Sequence, residues 1–479
     1  MPPSATAGDI VVGDPILLPP DSREDGGGAG GSAPLELQGT APLGPAAERT
    51  SIVLCTKWSG SFSDTHLGED YVDEGHVERL RAEGRAIDRW VRDPHPARFA
   101  SATVSGSAGA VWKGALDIQG CTPTLSVAPG AYSFTVTTKL VSGTTTYDIY
   151  KVFEPTPGKS CTPTRISNPP KRWCESNDSV MTSFTVQNVT RDVRRVDVPA
   201  GPETPSSRVA SVAGQVLATP DRGLKSNDTY TIYANSGCPY YKDPSTGVVW
   251  YNWDEACGGS TAYFGLSQAA DHHDMTTVKY VIAHELGHQM QTHQASWMLS
   301  GGGDYPPAAS APAACKCDFV EAANKLHCLQ SRHAWWTAEI EGWAHFFAQR
   351  TFNERTRDDP VFAYYKEVRT DDGITHRPPF VTNALTPVKW IPNHCPLANK
   401  SSEWDLLVFL TALHGGSAPN ALSMSEIFGV YEKLRSTSAP RTWSGMDGAA
   451  LAYFGNDPNH VKYKRFHEAG LASGVGFSE

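Results

Sequence analysis

Two spacings of apolar residues organise this chain. Up to about residue 200 the recurring spacing is two. Tyr132, Phe134, Val136, Thr138 and Leu140 alternate with polar neighbours, the signature of a half-buried strand. A Ser142-Gly143 turn signal follows, and a second run passes through Tyr147, Ile149 and Phe153. Ser51 to Cys55 is a short apolar run, and Val180 to Val198 repeats the strand pattern with a break at Asn188. One amphipathic helix, carried by Val77, Leu80, Ile87 and Val91, interrupts the strands and ends at Asp93-Pro94. Residues 50–200 therefore read as a β-rich accessory module. Nothing in them forms a catalytic constellation.

Gly201 to Pro205 is the best linker candidate. Beyond it, Ser206–Leu217 is predicted as a helix, and Tyr230–Ala234, Val248–Trp253 and Ala262–Leu266 as short strands. The next helix is capped by Thr276 or Thr277 and ends between His293 and Ser296. At about 100° per residue, Ile282, Leu286 and Met290 share one side with Ala283 close by, while His284, Glu285 and His288 share the other. Gly287 costs that helix roughly 1 kcal/mol relative to Ala, which makes sense where another backbone must come close. Further helices are expected at Trp335–Ala348 and Trp404–Leu413. Residues 1–49, rich in Pro, Gly, Ala and Ser, cannot bury enough apolar surface to order themselves and read as a disordered tail.

Composition narrows the class. At 479 residues the chain exceeds one ordinary core, so two domains plus a tail are expected. A net charge of −10 and a pI near 5.9 argue against nucleic acid or an anionic membrane as the main partner. The longest apolar run, Leu406–Leu413, is too short to span a bilayer. The ten cysteines are scattered without a C-x-x-C pair, which suits disulfides in an oxidising compartment better than a thiolate zinc cluster. Cys238–Cys257 is a natural local bridge. Cys315, Cys317, Cys328 and Cys395 read as two disulfides pinning an insertion or, alternatively, as a second metal site. The expected location is secreted or extracytoplasmic; because Met1 to Gly13 lacks the basic and apolar regions of a secretory signal, either the signal has been trimmed, which is the favoured reading, or export takes another route, or the cysteines are reduced.

His284-Glu285-Leu286-Gly287-His288 is an H-E-x-x-H pattern inside a helix. Residues four apart lie on one helix face, so both imidazoles can reach one ion, with the carboxylate beside it as a base. In a chain of this composition chance alone produces the pentapeptide in roughly two or three cases per hundred, so its surroundings must carry the case. They do: Val281 to Met290 resembles the active-site helix of the zincin metallopeptidases. The preceding order of helix, strands and strand resembles the first half of a zincin domain, in which the last strand before the metal helix borders the substrate cleft. The resemblance implies His284 and His288 as zinc ligands and Glu285 as general base.

A catalytic zinc has three protein ligands and an open position, so the third ligand decides the subfamily. Metzincins place a histidine six residues after the second, where this chain has Gln294, with His293 out of register. Gluzincins place a glutamate on a later helix, followed by a small residue, and Glu341-Gly342 within Trp335–Ala348 matches that pattern. The gluzincin resemblance implies Glu341 as the third ligand. Glu339, about 160° around the same helix, is the fallback, and both cannot face the metal.

Two features depart from the family. Thermolysin-like enzymes carry an aspartate four residues after the ligand glutamate, where it orients the first zinc histidine; this chain has His345. His345 can accept a hydrogen bond from a ligand histidine, sit in the core, or serve as an alternative ligand. The 53 residues from His288 to Glu341 imply an insertion, for which Ser300 to Cys317 is the candidate. For the oxyanion-stabilising donor, His394 competes with His376, Tyr364, Tyr365, His414 and Tyr453. Asp271 to Asp274 reads as a solvated loop.

The expected fold is thus α+β, with a tail (1–49), a β-rich domain (50–200) and a zincin-like catalytic domain (203–479). The expected function is a Zn2+-dependent peptidase that cleaves a peptide or protein substrate through a metal-bound water activated by Glu285. The alternatives are a non-hydrolytic secreted or surface binding protein on the same scaffold, and a zinc amidase acting on cell-wall or conjugated peptides.

Overall fold

The computed structural model describes residues 16–17, 49–60, 62, 95–153, 165–166, 172–176, 181–189, 194–201, 203–219, 228–234, 238–242, 249–252, 256–258, 261–264, 276, 278–295, 335–353, 355, 360–362, 368–369, 375–376, 386–387, 402–415, 420–437 and 442–475. The expected helix around Val77–Val91, the Ser300–Cys317 insertion, Asp271–Asp274, Cys328, Cys395, His394, Tyr364 and Tyr365 lie outside these residues.

The fold is α+β. Its strands, in chain order, include β1 (Ile16–Leu17), β2 (Thr50–Cys55), β3 (Ala100–Gly106), β4 (Gly109–Ala115), β5 (Gly130–Ser142), β6 (Thr145–Phe153), β7 (Met181–Val189), β8 (Thr229–Tyr233), β9 (Ala256–Cys257) and β10 (Thr261–Phe264). Among the described residues the helices are α1 (Pro205–Ala218), α2 (Lys279–Ala295), α3 (Trp335–Phe352), α4 (Glu403–His414), α5 (Met424–Ser436), α6 (Trp443–Tyr453) and α7 (Val461–Ser473).

The alternation in β5 does what period two requires: Tyr132, Phe134, Val136, Thr138 and Leu140 are all buried. Gly143, at φ 61°, occupies the left-handed region in the turn to β6, where Ser142 pairs with Thr145. In β7 the pairing with β5 shifts between Val186 and Val189, around the Asn188 break.

Beyond β6 the sheet becomes parallel. Ile149 of β6 pairs with Ile232 of β8, which in turn pairs with Ala262 of β10, and β9 closes the run antiparallel. Parallel neighbours need a long connection between them, and α1 lies within that connection, packed on β5 and β6. A capping box starts α1: the Thr204 hydroxyl accepts from Ser207 N at 3.0 Å, and the Ser207 hydroxyl from Thr204 N at 2.8 Å. Among the described residues, strands on both sides of residue 200 belong to one eleven-stranded sheet, and one cluster of buried apolar residues spans it. The expected tail also contributes to this sheet, because Ile16 and Leu17 pair with Ser183 and Thr182 of β7.

On the site side, α2 lies on β10 and packs against α3, which packs against α4. A Cβ on Gly287 would stand 3.1 Å from Ala344 Cα and from Phe347 Cβ, the close helix approach that its position suggested. Gly342 does the same between α3 and α4: a Cβ there would overlap Leu406 Cβ and lie 2.9 Å from the Glu403 carbonyl oxygen. The helices α5 to α7 close the far side, with Trp443 stacked on Phe466 at 5.8 Å between centroids. A capping box starts α5: Ser423 N donates to Glu426 Oε2 at 2.9 Å and Glu426 N to the Ser423 hydroxyl at 3.1 Å. One disulfide, Cys55–Cys121, ties β2 to a segment 66 residues away, and Cys257 is disulfide-bonded as well. No helix among the described residues is long and apolar enough to cross a membrane.

Candidate metal centre

Helix α2 is buried all round. Tyr280, Val281, Ile282, Ala283, Leu286 and Met290 are core residues, but so are Lys279, His284, Glu285, His288, Gln289 and Gln291. Polar groups at this depth cost stability unless each finds a partner. Gln289 donates to the Thr231 carbonyl at 2.8 Å, Gln291 donates to Glu339 at 2.8 Å, and the Lys279 ammonium stands 5.1 Å from the Phe352 ring centroid. The helix is therefore held in one rotation about its axis by sheet contacts on one side and α3 on the other.

That rotation aims His284, Glu285 and His288 at one point. One ligand atom from each lies within 4.8 Å of the other two, and this buried group can hold a metal ion. Helix α3 brings Glu341 to the same place: its Oε2 is 3.1 Å from His284 Nε2 and 3.3 Å from His288 Nε2. Donors held about 2.0–2.1 Å from a tetrahedral ion must be about 3.3 Å apart, so these separations and the N, N, O donor set fit zinc. The segment leaving β9 crosses the same helix. A Cβ on Gly258 would overlap the Glu285 carbonyl oxygen and stand 2.7 Å from His288 Cβ, so only glycine permits the approach.

The opposite edge of the His284 ring faces a second histidine. His284 Nδ1 is 3.0 Å from His345 Nδ1, and His345 Nε2 is 3.0 Å from Glu403 Oε2 at the start of α4. Burial, reinforced by the neighbouring charges of His345 and His288, holds the His284 pKa well below its usual value, which keeps the ring neutral. Burial also acts downward on His288, but the charge and hydrogen bond of Glu341, with Glu285 and Glu403, outweigh it and raise that pKa.

The expected site residues divide cleanly. His284, Glu285, His288 and Glu341 come together. Glu339 points elsewhere: it accepts from Gln291 and lies against Tyr431, whose hydroxyl pKa is pushed well up by burial and then by the Glu339 charge. His345 meets the ring edge of His284 opposite Glu341, so it cannot bind an ion held at His284 Nε2. His414 has both ring nitrogens engaged, one by Arg350 Nε at 2.7 Å and one by the Leu422 carbonyl at 2.9 Å, and belongs to a structural network. Tyr453 packs over Gly429 on the far helices. The strand expected to border the cleft, β10, is flanked by β8 and β9, and β9 is the outer of the three among the described residues. Glu403 was missed, because it lies 58 residues beyond His345 and carries no local signal.

No protein-family model matches the chain, and no curated protein matches it.

Proposed function

We propose that the protein is a secreted zinc-dependent peptidase of gluzincin type. The observation that carries this reading is the convergence of His284, His288 and Glu341 at the donor spacing a tetrahedral ion requires, with Glu285 buried beside them. His284, His288 and Glu341 would hold the ion. When bound, zinc supplies Lewis acidity, polarising a substrate carbonyl and lowering the pKa of a water to about 7.

The remaining chemistry belongs to the chain. Glu285 takes the proton from the attacking water and passes it to the leaving amine. Its burial excludes bulk water from that transfer, and the α2 contacts keep its carboxylate on the ligand side of the helix. Gly258, just past β9, lies against the Glu285 carbonyl and the His288 side chain, which sets this strand end beside the ligand helix. The Cys55–Cys121 disulfide supports an oxidising compartment.

Glu285→Gln tests the reading. Wild type should bind one zinc and cleave a casein or peptide-library substrate; the variant should bind zinc equally and lose cleavage by at least about a hundredfold, the low end of a general-base contribution. Full cleavage by the variant refutes the mechanism. Stoichiometric zinc with no cleavage by wild type would point to a non-hydrolytic protein on this scaffold.

A further inference from the structure

Among the residues around His284, one carboxylate has no place in the ligand set yet is wired to it. Glu403 is buried in the first turn of α4, at the positive end of the helix dipole. An ionised carboxylate only accepts hydrogen bonds, so at 3.0 Å it must receive one from His345 Nε2. For His284 to serve as a ligand through Nε2 its proton must sit on Nδ1 and go to His345, which is then a neutral imidazole with one donor and one acceptor. With Nε2–H spent on Glu403, His345 Nδ1 is the acceptor, and at 3.0 Å it takes its hydrogen from His284 Nδ1. That leaves the lone pair of His284 on Nε2, which stands 3.1 Å from the Glu341 carboxylate. In that tautomer two acceptors face each other, and a cation between them satisfies both.

We propose that Glu403 is a positioning residue for the metal centre, acting through His345 to hold His284 as the tautomer whose Nε2 lone pair faces the ion. The inference rests on the metal-site reading above. It also accounts for the departure from the thermolysin-like pattern: the carboxylate that would stand directly behind the first histidine is displaced by one imidazole and supplied from a different helix. A divalent ion then meets one anion, Glu341, directly and a second, Glu403, at one remove. Two close approaches hold the chain of contacts in register, because Gly342 lets α3 settle against the Glu403 backbone and Gly287 lets α2 settle against α3.

The test uses the full chain with zinc alone as the probe, its dissociation constant measured by competition with a chelating dye. Glu403→Gln keeps the shape, removes the charge, and offers His345 either a donor or an acceptor. It should weaken zinc roughly 10–100-fold, as loss of an outer partner does, while the zinc-free variant melts within a few degrees of wild type. Long-range 1H–15N spectra of zinc-loaded wild type should show His345 protonated at Nε2 and His284 at Nδ1; this measurement decides the matter even if the variant fails to fold. His345 protonated at Nδ1, or an unchanged zinc affinity in a folded Glu403→Gln, overturns the inference alone. A wild type that takes up no zinc overturns the metal reading and this inference together.

Discussion

Substituting Gly342 by alanine probes how tightly the site depends on helix spacing. In an isolated helix the change would stabilise by about 1 kcal/mol. Here the new methyl would lie 2.9 Å from the Glu403 carbonyl oxygen and overlap Leu406 Cβ. Ordinary contacts begin near 3.5 Å, so the carbonyl alone demands that α3 and α4 move apart by about 0.6 Å, and Leu406 demands more. Neither obstacle is the flexible end of a side chain, so the strain falls on backbone. With two contacts inside 3.0 Å the crowding sits at the upper end of the usual range, about 3 kcal/mol, which after the propensity gain leaves a net loss of about 2 kcal/mol. Gly287→Ala is the internal control. Its methyl would meet Ala344 Cα and Phe347 Cβ at 3.1 Å, a separation of only about 0.4 Å to be gained, so crowding and propensity nearly cancel. Urea unfolding midpoints, converted through a common slope, should rank wild type and Gly287→Ala close together and Gly342→Ala clearly below. Gly342→Ala as stable as wild type, or more stable than Gly287→Ala, would refute the reasoning.

Two further outcomes follow from the scaffold. Burial, with the charge of Arg350 beside it, pushes the His414 pKa from 6.5 to about 3. The unfolded chain therefore binds this proton at a pH where the folded chain does not: stability is intact above about pH 6.5 and falls as pH drops towards 3, by up to about 1.4 kcal/mol per unit. Unfolding between pH 6 and 5 should show wild type losing more stability than His414→Gln; equal slopes would rule this out. Reducing Cys55–Cys121, which closes a 66-residue separation, should lower stability by about 4 kcal/mol if loop entropy dominates. A double serine variant that loses less than about 1 kcal/mol would show the unfolded chain to be already constrained.

What the sequence by itself determined is local. His284 and His288 share a face because residues four apart on a helix must, and Gly287 announced a close neighbour because it disfavours the helix it sits in. The β5 alternation is equally short-range and was equally legible, while the capping pairs at Thr204, Ser402 and Ser423 are as local but emerged only from the structure. Glu341 rather than Glu339 came from a pattern match, and helix phase could only say that one of the two must turn away. The rest needed tertiary structure. Pairing of β6 with β8 joins residues about 80 apart, and no local period marks which strand lies parallel to which, so nothing local shows one sheet running across residue 200. His345 read as a departure because its meaning depends on Glu403, 58 residues further on, reached only when α4 packs across Gly342. Covalent spacing sets which groups a helix presents together; only packing decides which buried charge stands behind them.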